Sequence, residues 1–334
     1  MTQVHMHPVP MTVITGFLGS GKTTLIAALL RRQELANTAV IINEFGEIGL
    51  DHELIESSEE DLVELSTGCL CCVMRGDLVN AVQRLMKKRN SGHGFERIVL
   101  ETTGLADPAP ILHATMADLA LRSHVALDRV VVTVDGVNGL ASLDTYDESR
   151  KQVGLADILL LTKTDVATSD AKSLTERLRA INPQARIVPS VLGGVDPAIL
   201  IGGETTWHQE REIRELQHYG HKHHHHHDDI TSVSLELDAP VPAVALTLFL
   251  EALAETFGAD LLRLKGIVQI AEDPEKPAIL HGVQHVFHPI RMLDAWPDAV
   301  PRSRLVMIGR RLTKNWIEAL LETITEEVNE ASVE

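Results

Sequence analysis

Eight residues near the start of the chain limit what it can fold into: Gly16-Phe17-Leu18-Gly19-Ser20-Gly21-Lys22-Thr23. They match G-x-x-x-x-G-K-[ST] and lie between an apolar stretch, 11–15, and a run with helical spacing, 24–32. Strand, glycine-rich turn and helix in that order form a phosphate cradle. The glycines let backbone N–H groups wrap an anion, and the helix N-terminus adds its own free donors. In that frame Gly16, Gly19, Ser20, Gly21 and Thr24 line the phosphates. Lys22 reaches the β- and γ-phosphates, and Thr23 places its hydroxyl on Mg²⁺.

A cradle of this kind needs a parallel sheet behind it, and the following segments supply one. "TAVIINEF" (38–45), "RIVLETTG" (97–104), "DRVVVTVDG" (128–136) and "ADILLLTKTD" (156–165) each begin as a near-continuous apolar run. Such runs suit parallel strands covered on both faces. Helical spacing over 77–88 and over 108–121 alternates with them. The prediction is an α/β fold, a doubly wound, mainly parallel P-loop NTPase sheet over residues 8–203. Residues 204–229 hold the polar run "HYGHKHHHHHDD" and read as a His-rich linker. A smaller α+β domain is predicted over 230–328, where Val233, Leu235 and Leu237 alternate and "TKNWIEALLETITEEV" closes the chain as a helix.

Composition narrows the partners. At 334 residues, two domains are expected, and 44% hydrophobic residues suffice for a packed core. A net charge of −17 argues against a nucleic-acid or anionic-membrane partner. No apolar run is long enough to span a bilayer. The N-terminus lacks a basic segment followed by an apolar one, so a cytoplasmic, reducing compartment is expected.

The base and the catalytic groups are read from strand ends. Thr162-Lys163-Thr164-Asp165 resembles the N-K-x-D guanine motif of GTPases, with Thr162 in place of asparagine. Asp165 can accept N1–H and the 2-amino group of guanine, whereas adenine presents a bare acceptor there. Lys163 covers the base. The threonine removes the amide that holds both the base and the phosphate loop. Glu101 ends an apolar strand where an acid meets Mg²⁺, and Gly104 lets the next turn approach the γ-phosphate. The segment Asn43-Glu44-Phe45-Gly46-Glu47 is a second switch candidate. Glu44, Glu47 and Asp51 are the candidates for positioning water, which makes Lys22, Thr23, Glu101 and Glu44 the expected catalytic set. No arginine finger is evident, so hydrolysis is expected to be slow without a partner.

All three cysteines of the chain, Cys69, Cys71 and Cys72, fall within four positions. In a reducing compartment such a cluster reads as metal ligands or redox groups. Thiolates suit Zn²⁺, and in an extended stretch Cys69 and Cys71 face the same side. A fourth ligand is open: Glu47, His113 or water. His218, His221, His223, His224, His225, His226 and His227 form a second, looser ligand set suited to weak capture of Zn²⁺, Co²⁺ or Ni²⁺.

"GFLGSGKTTL", "NEFGEIGLD", "GCLCC", "ETTGLADP" and "LLTKTD" stand in the order found in CobW-type GTPases, relatives of UreG and HypB. "LLRLKGI", "GVQHVF" and "RLVMIGR" resemble the C-terminal domain of the same family. The resemblance implies a GTP-hydrolysing metallochaperone that carries zinc, or cobalt in some members, to a client protein. A homodimer or a partner completing the catalytic site is a further expectation. Three other readings stay open on residues alone: a P-loop small-molecule kinase, a nucleotide-regulated metal buffer, and a thiol redox switch.

Overall fold

The computed structural model describes residues 8–42, 62–64, 71–91, 94–166, 171–200, 229–297 and 301–332. The chain divides into two compact units, one comprising Met1–Arg177 with Ala185–Thr205, the other Leu178–Gln184 with Thr206–Glu334.

The N-terminal half runs β1 (Val9–Gly16), α1 (Lys22–Leu30), a 3-10 turn (Gln33–Leu35), β2 (Thr38–Ile42), β3 (Leu62–Glu64), α2 (Cys71–Asn90), β4 (Arg97–Glu101), α3 (Ala109–Ala117) and α4 (Leu119–Arg122). It continues through β5 (Val125–Asp135), α5 (Gly139–Thr145), α6 (Asp147–Leu155), β6 (Ile158–Thr162), α7 (Ala171–Ile181), β7 (Arg186–Pro189) and α8 (Pro197–Leu200). Seven strands form one sheet in the order β3-β2-β4-β1-β5-β6-β7, and every pairing is parallel. This is the doubly wound P-loop architecture that the sequence predicts. β2 and β6 are buried at every position, as sheets covered on both faces require. Leu25, Ile26 and Leu29 of α1 pack on Ile14, Val40, Val99, Val131 and Leu160 from five strands.

Register brings the strand ends together. Ile14 pairs with Glu101, Gly16 with Thr133, and Asp135 with Thr162. The C-terminal ends of β1, β4, β5 and β6 therefore share one edge of the sheet, where ligands of open α/β sheets bind.

Two helices differ from their predicted extents. The run 108–121 is two helices, because Asp118 adopts an extended backbone and its carboxylate caps α4 by accepting from Ala120 and Leu121 N–H. α2 starts at Cys71, six residues ahead of the predicted 77. Cys71 and Cys72 thus open a helix. The extended geometry expected for the thiol segment does not hold at these two positions.

The second unit runs β8 (Ile230–Leu237), α9 (Ala243–Phe257), β9 (Leu261–Ile270), β10 (Asp273–Val283), β11 (Val286–Phe287), β12 (Arg291–Met292), β13 (Ser303–Arg310) and α10 (Lys314–Ala331). Its strands pair in the order β11-β10-β9-β13-β8, with β12 on β10, all antiparallel. Val233 and Leu235 of β8, Leu264 and Val268 of β9 and Leu305 and Met307 of β13 form one apolar face. Phe249 and Leu253 of α9 and Ile317 and Leu321 of α10 cover it. Among the described residues no helix is long and apolar enough to cross a membrane.

Candidate functional site

The phosphate loop leaves β1 at Gly16, whose φ is +143°. A Cβ there would strike the Thr133 hydroxyl and carbonyl and lie 2.8 Å from the Ser20 hydroxyl, so only glycine fits. Thr133 donates to the Thr15 carbonyl at 3.2 Å. Its own hydrogen is thereby used, and the Ser20 hydroxyl donates to it at 2.6 Å. Gly21, at φ +93°, is the N-cap of α1 and offers no side-chain cap; the first turn carries no acidic residue. The positive end of α1 is thus left to an anion. Lys22 is 9% exposed, and its ammonium donates to the carbonyls of Gly16 at 2.9 Å and Phe17 at 3.3 Å. Thr23 is half-buried beside it, and Thr24 is exposed.

The end of β6 is tied to this loop. The Thr162 hydroxyl donates to the Ser20 carbonyl at 2.7 Å, and the Lys163 ammonium donates to the Gly19 carbonyl at 2.8 Å. Threonine therefore keeps the loop-holding bond that was expected to vanish with the asparagine amide. Lys163 also pairs with Asp135 at 2.7 Å. Asp135 accepts further bonds from the N–H groups of Val137 and Asn138 at 2.8 and 3.1 Å and from the Asn138 amide at 3.2 Å. Burial pushes the Asp135 carboxyl up, but these donors, Lys163 foremost, outweigh it and hold the carboxyl below its ordinary range. Lys163 has φ +55°, and the turn it starts leaves Asp165 exposed.

On the other side of β1, Glu101 is 7% exposed at the end of β4. Thr102 donates to the Thr15 hydroxyl at 2.7 Å, joining β4 to β1 just ahead of the loop. A Cβ on Gly104 would lie 2.8 Å from the Leu18 backbone nitrogen, so the turn after β4 lies against the phosphate loop. Gln152 of α6 holds that turn, donating to the carbonyls of Gly104 at 3.2 Å and Ala106 at 3.1 Å.

A phosphate loop at such a strand edge is common to several families. The family model for the CobW/HypB/UreG nucleotide-binding domain matches residues 10–189, and that for the cobalamin synthesis protein cobW C-terminal domain matches 230–325. The chain belongs to the CobW/HypB/UreG family. It is 35% identical over 315 residues to the zinc chaperone YjiA of Escherichia coli, covering 94% of this chain and 98% of that one. The zinc-regulated GTPase metalloprotein activator 1 of Schizosaccharomyces pombe is 37% identical over 199 residues, 57% of this chain and 48% of that one. A crystal structure of Zn(II)-bound YjiA GTPase, with one glutamate and two cysteines replaced by alanine, superposes with a TM-score of 0.74. It is 29% identical, covering 96% of this chain and 99% of that one.

For a CobW-family chain the metal ligands are the other half of the question. Cys69, Glu44, Glu47, Asp51 and the histidines of 218–227 lie outside the described residues, and of Cys71 and Cys72 only the helical backbone is described. His113 is half-buried on α3, which packs against α2. Among the described residues no three His, Cys, Asp or Glu side chains are placed to share an ion. Two residues of the nucleotide corner escape sequence reasoning. Asp135 is signalled only by its place in "VDG" at the end of an apolar run. Gln152 carries no motif at all.

Proposed function

We propose that this chain binds GTP with Mg²⁺, hydrolyses it slowly on its own, and uses the cycle to hold and release zinc or a similar transition metal for a metal-requiring client protein. One observation carries the nucleotide half: the Gly16–Thr23 loop is bonded through Ser20 and Gly19 to Thr162 and Lys163, with Asp165 exposed beside them. Lys22 takes phosphate oxygens in place of its two loop carbonyls. Thr23 and Glu101 hold Mg²⁺, which supplies charge neutralisation, and Glu44 is the residue assigned to the attacking water. Catalysis in such sites is positioning plus electrostatics, and turnover is expected to be slow until a partner completes the set.

The metal half rests on Cys69, Cys71 and Cys72, with Glu47, His113 or water as further ligand, and on the likeness to a zinc chaperone and a zinc-regulated GTPase metalloprotein activator. We assign nucleotide work to residues 8–203, loose metal capture to the His-rich 204–229, and the remaining α+β domain to 230–328. A second copy or the client itself completes the catalytic site.

The test is linkage. Zn²⁺ affinity is measured with a non-hydrolysable GTP analogue, with GDP and with no nucleotide, all with Mg²⁺. A coupled carrier shows a difference of roughly 5–150-fold between states, and GTP affinity responds to zinc by the same factor. Equal affinity in all three states overturns the carrier cycle. Total zinc content does not decide the matter, because YjiA is Zn(II)-bound even with two cysteines and a glutamate replaced. Only the tightest site is informative.

A further inference from the structure

Helix α6 grips two parts of the nucleotide site at once. Its N-cap, Tyr146, stacks on Phe17 of the phosphate loop with ring centroids 4.5 Å apart. Further along the helix, Lys151 pairs with Asp107 at 4.0 Å. Gln152, 1% exposed, spends both hydrogens of its amide on one turn, at the carbonyls of Gly104 and Ala106. That turn in turn presses Gly104 on Leu18. Phe17–Leu18 and Gly104–Asp107 are thus held by one nine-residue helix.

The space beside this bracket is lined by both polar and apolar groups. A pocket of about 160 Å³ runs beneath Gly19 and Ser20 and is bordered by Asn138, Ser142, Ser149 and Gln152. A space of that size can hold several waters beside the turn and the loop. A glutamine serving only to satisfy two buried carbonyls would stabilise the fold equally in every nucleotide state. The placement here is more specific, because the two carbonyls belong to the turn that follows Glu101 and packs on Leu18 of the phosphate loop.

We propose that Gln152 is a positioning residue of the nucleotide cycle: it fixes the Gly104–Ala106 turn against the phosphate loop, and through that turn GTP is distinguished from GDP. This rests on the GTP reading above. Gln152→Glu keeps the shape but replaces both donors with acceptors facing carbonyls. Gln152→Met fills the same space without any donor, and serves if the charged variant fails to fold.

Three quantities are measured on wild type and variant: GTP turnover, affinity for GDP and for a non-hydrolysable GTP analogue, and amide hydrogen exchange over 103–107 without nucleotide. Turnover and analogue affinity are expected to fall roughly tenfold to a hundredfold, as loss of two hydrogen bonds requires, while GDP affinity stays within about twofold. Exchange over 103–107 is expected to accelerate while that over 17–23 does not. Parallel loss of GDP and analogue affinity overturns the positioning role. So does unchanged exchange beside normal wild-type turnover. Accelerated exchange in a protein whose wild type neither binds nor turns over GTP overturns the GTP reading, and the cycle role of Gln152 with it.

Discussion

The hydroxyl of Thr162 donates to the carbonyl of Ser20 at 2.7 Å, and this bond joins the phosphate loop to the strand end that carries Lys163 and Asp165. A Cβ built on Gly21 would lie 3.4 Å from the Thr162 methyl, so the threonine also fills the space behind the start of α1. The asparagine of the usual guanine motif combines loop holding with a contact to the base. Threonine keeps the first and, being short, gives up the second.

Thr162→Val tests that division. Valine keeps the shape and removes the hydroxyl, leaving the buried Ser20 carbonyl without this donor. The expected cost is about 1–2 kcal/mol of nucleotide affinity, the same for GTP and GDP because the loop serves both. Titration calorimetry with each nucleotide reads it. Unchanged affinity would mean that the Lys163–Gly19 and Ser20–Thr133 bonds hold the loop without Thr162.

Gly16 and Gly19 both have positive φ, and they should not respond alike. A methyl on Gly16 meets the Thr133 and Ser20 hydroxyls, whereas one on Gly19 meets nothing within 4 Å. Gly19→Ala therefore costs only the backbone strain, about 1 kcal/mol. Gly16→Ala adds a backbone clash and should cost roughly 3 kcal/mol or more, together with nucleotide binding. Urea unfolding of the two variants side by side reveals the difference, and similar losses would contradict the close packing of β1 on β5.

Asp135 makes the corner sensitive to acid. Its carboxyl titrates below the ordinary 3.8 because Lys163 and the Asn138 and Val137 donors outweigh the cost of burial. A folded-state pKa below the unfolded one stabilises the fold at higher pH, and that contribution disappears as pH falls through the folded value. Asp135→Asn lacks it. The stability gap between wild type and variant is expected to be wide near neutrality and to narrow below pH 3.8. Denaturation curves at stepped pH check the sign; a gap that widens in acid would mean that burial, and not the donors, dominates.

Much of this corner was legible in the chain. Lys22, Thr162, Lys163 and Asp165 stand at fixed offsets just past or at the ends of the buried parallel strands β1 and β6, which read as apolar runs because helices cover both faces. β3, with three residues, leaves no periodic trace. α5 and α6 are short and follow the apolar run of β5 without a capping signature, since neither N-cap makes a side-chain bond. Asp135 and Gln152 were missed for another reason. Asp135 matters through strand register with Thr162, and Gln152 through a turn 48 residues away, and neither neighbour is visible along the chain.

Affinity separates the two proposed ligand sets, the thiols and the histidines. Cys69→Ala or Cys71→Ala should abolish the tightest zinc site and leave the weak capacity, because three thiolates make a defined set. Deleting 221–227 should do the reverse, since adjacent histidines bind in many geometries. Competition against a chromophoric chelator distinguishes the two. Loss of the tight site on deleting the histidines would remove the cysteines from the cargo role.

Asp165 offers the sharpest test of the base. It is exposed just past the left-handed Lys163, while Lys163 is anchored on Gly19 and Asp135. A carboxylate there accepts both N1–H and the exocyclic amine of guanine. Asp165→Asn replaces one acceptor with a donor, which faces the 2-amino group of guanine unfavourably but suits the 2-oxo group of xanthine. GTP affinity should fall by roughly 2–4 kcal/mol, the worth of a pair of charge-assisted bonds, and affinity for xanthosine triphosphate should rise. GDP and xanthosine diphosphate should show the same exchange, because the contact lies at the base and is independent of the γ-phosphate. Binding of ATP as tightly as GTP by the wild type, or an unaltered preference in the variant, would overturn the guanine reading and favour the P-loop small-molecule kinase.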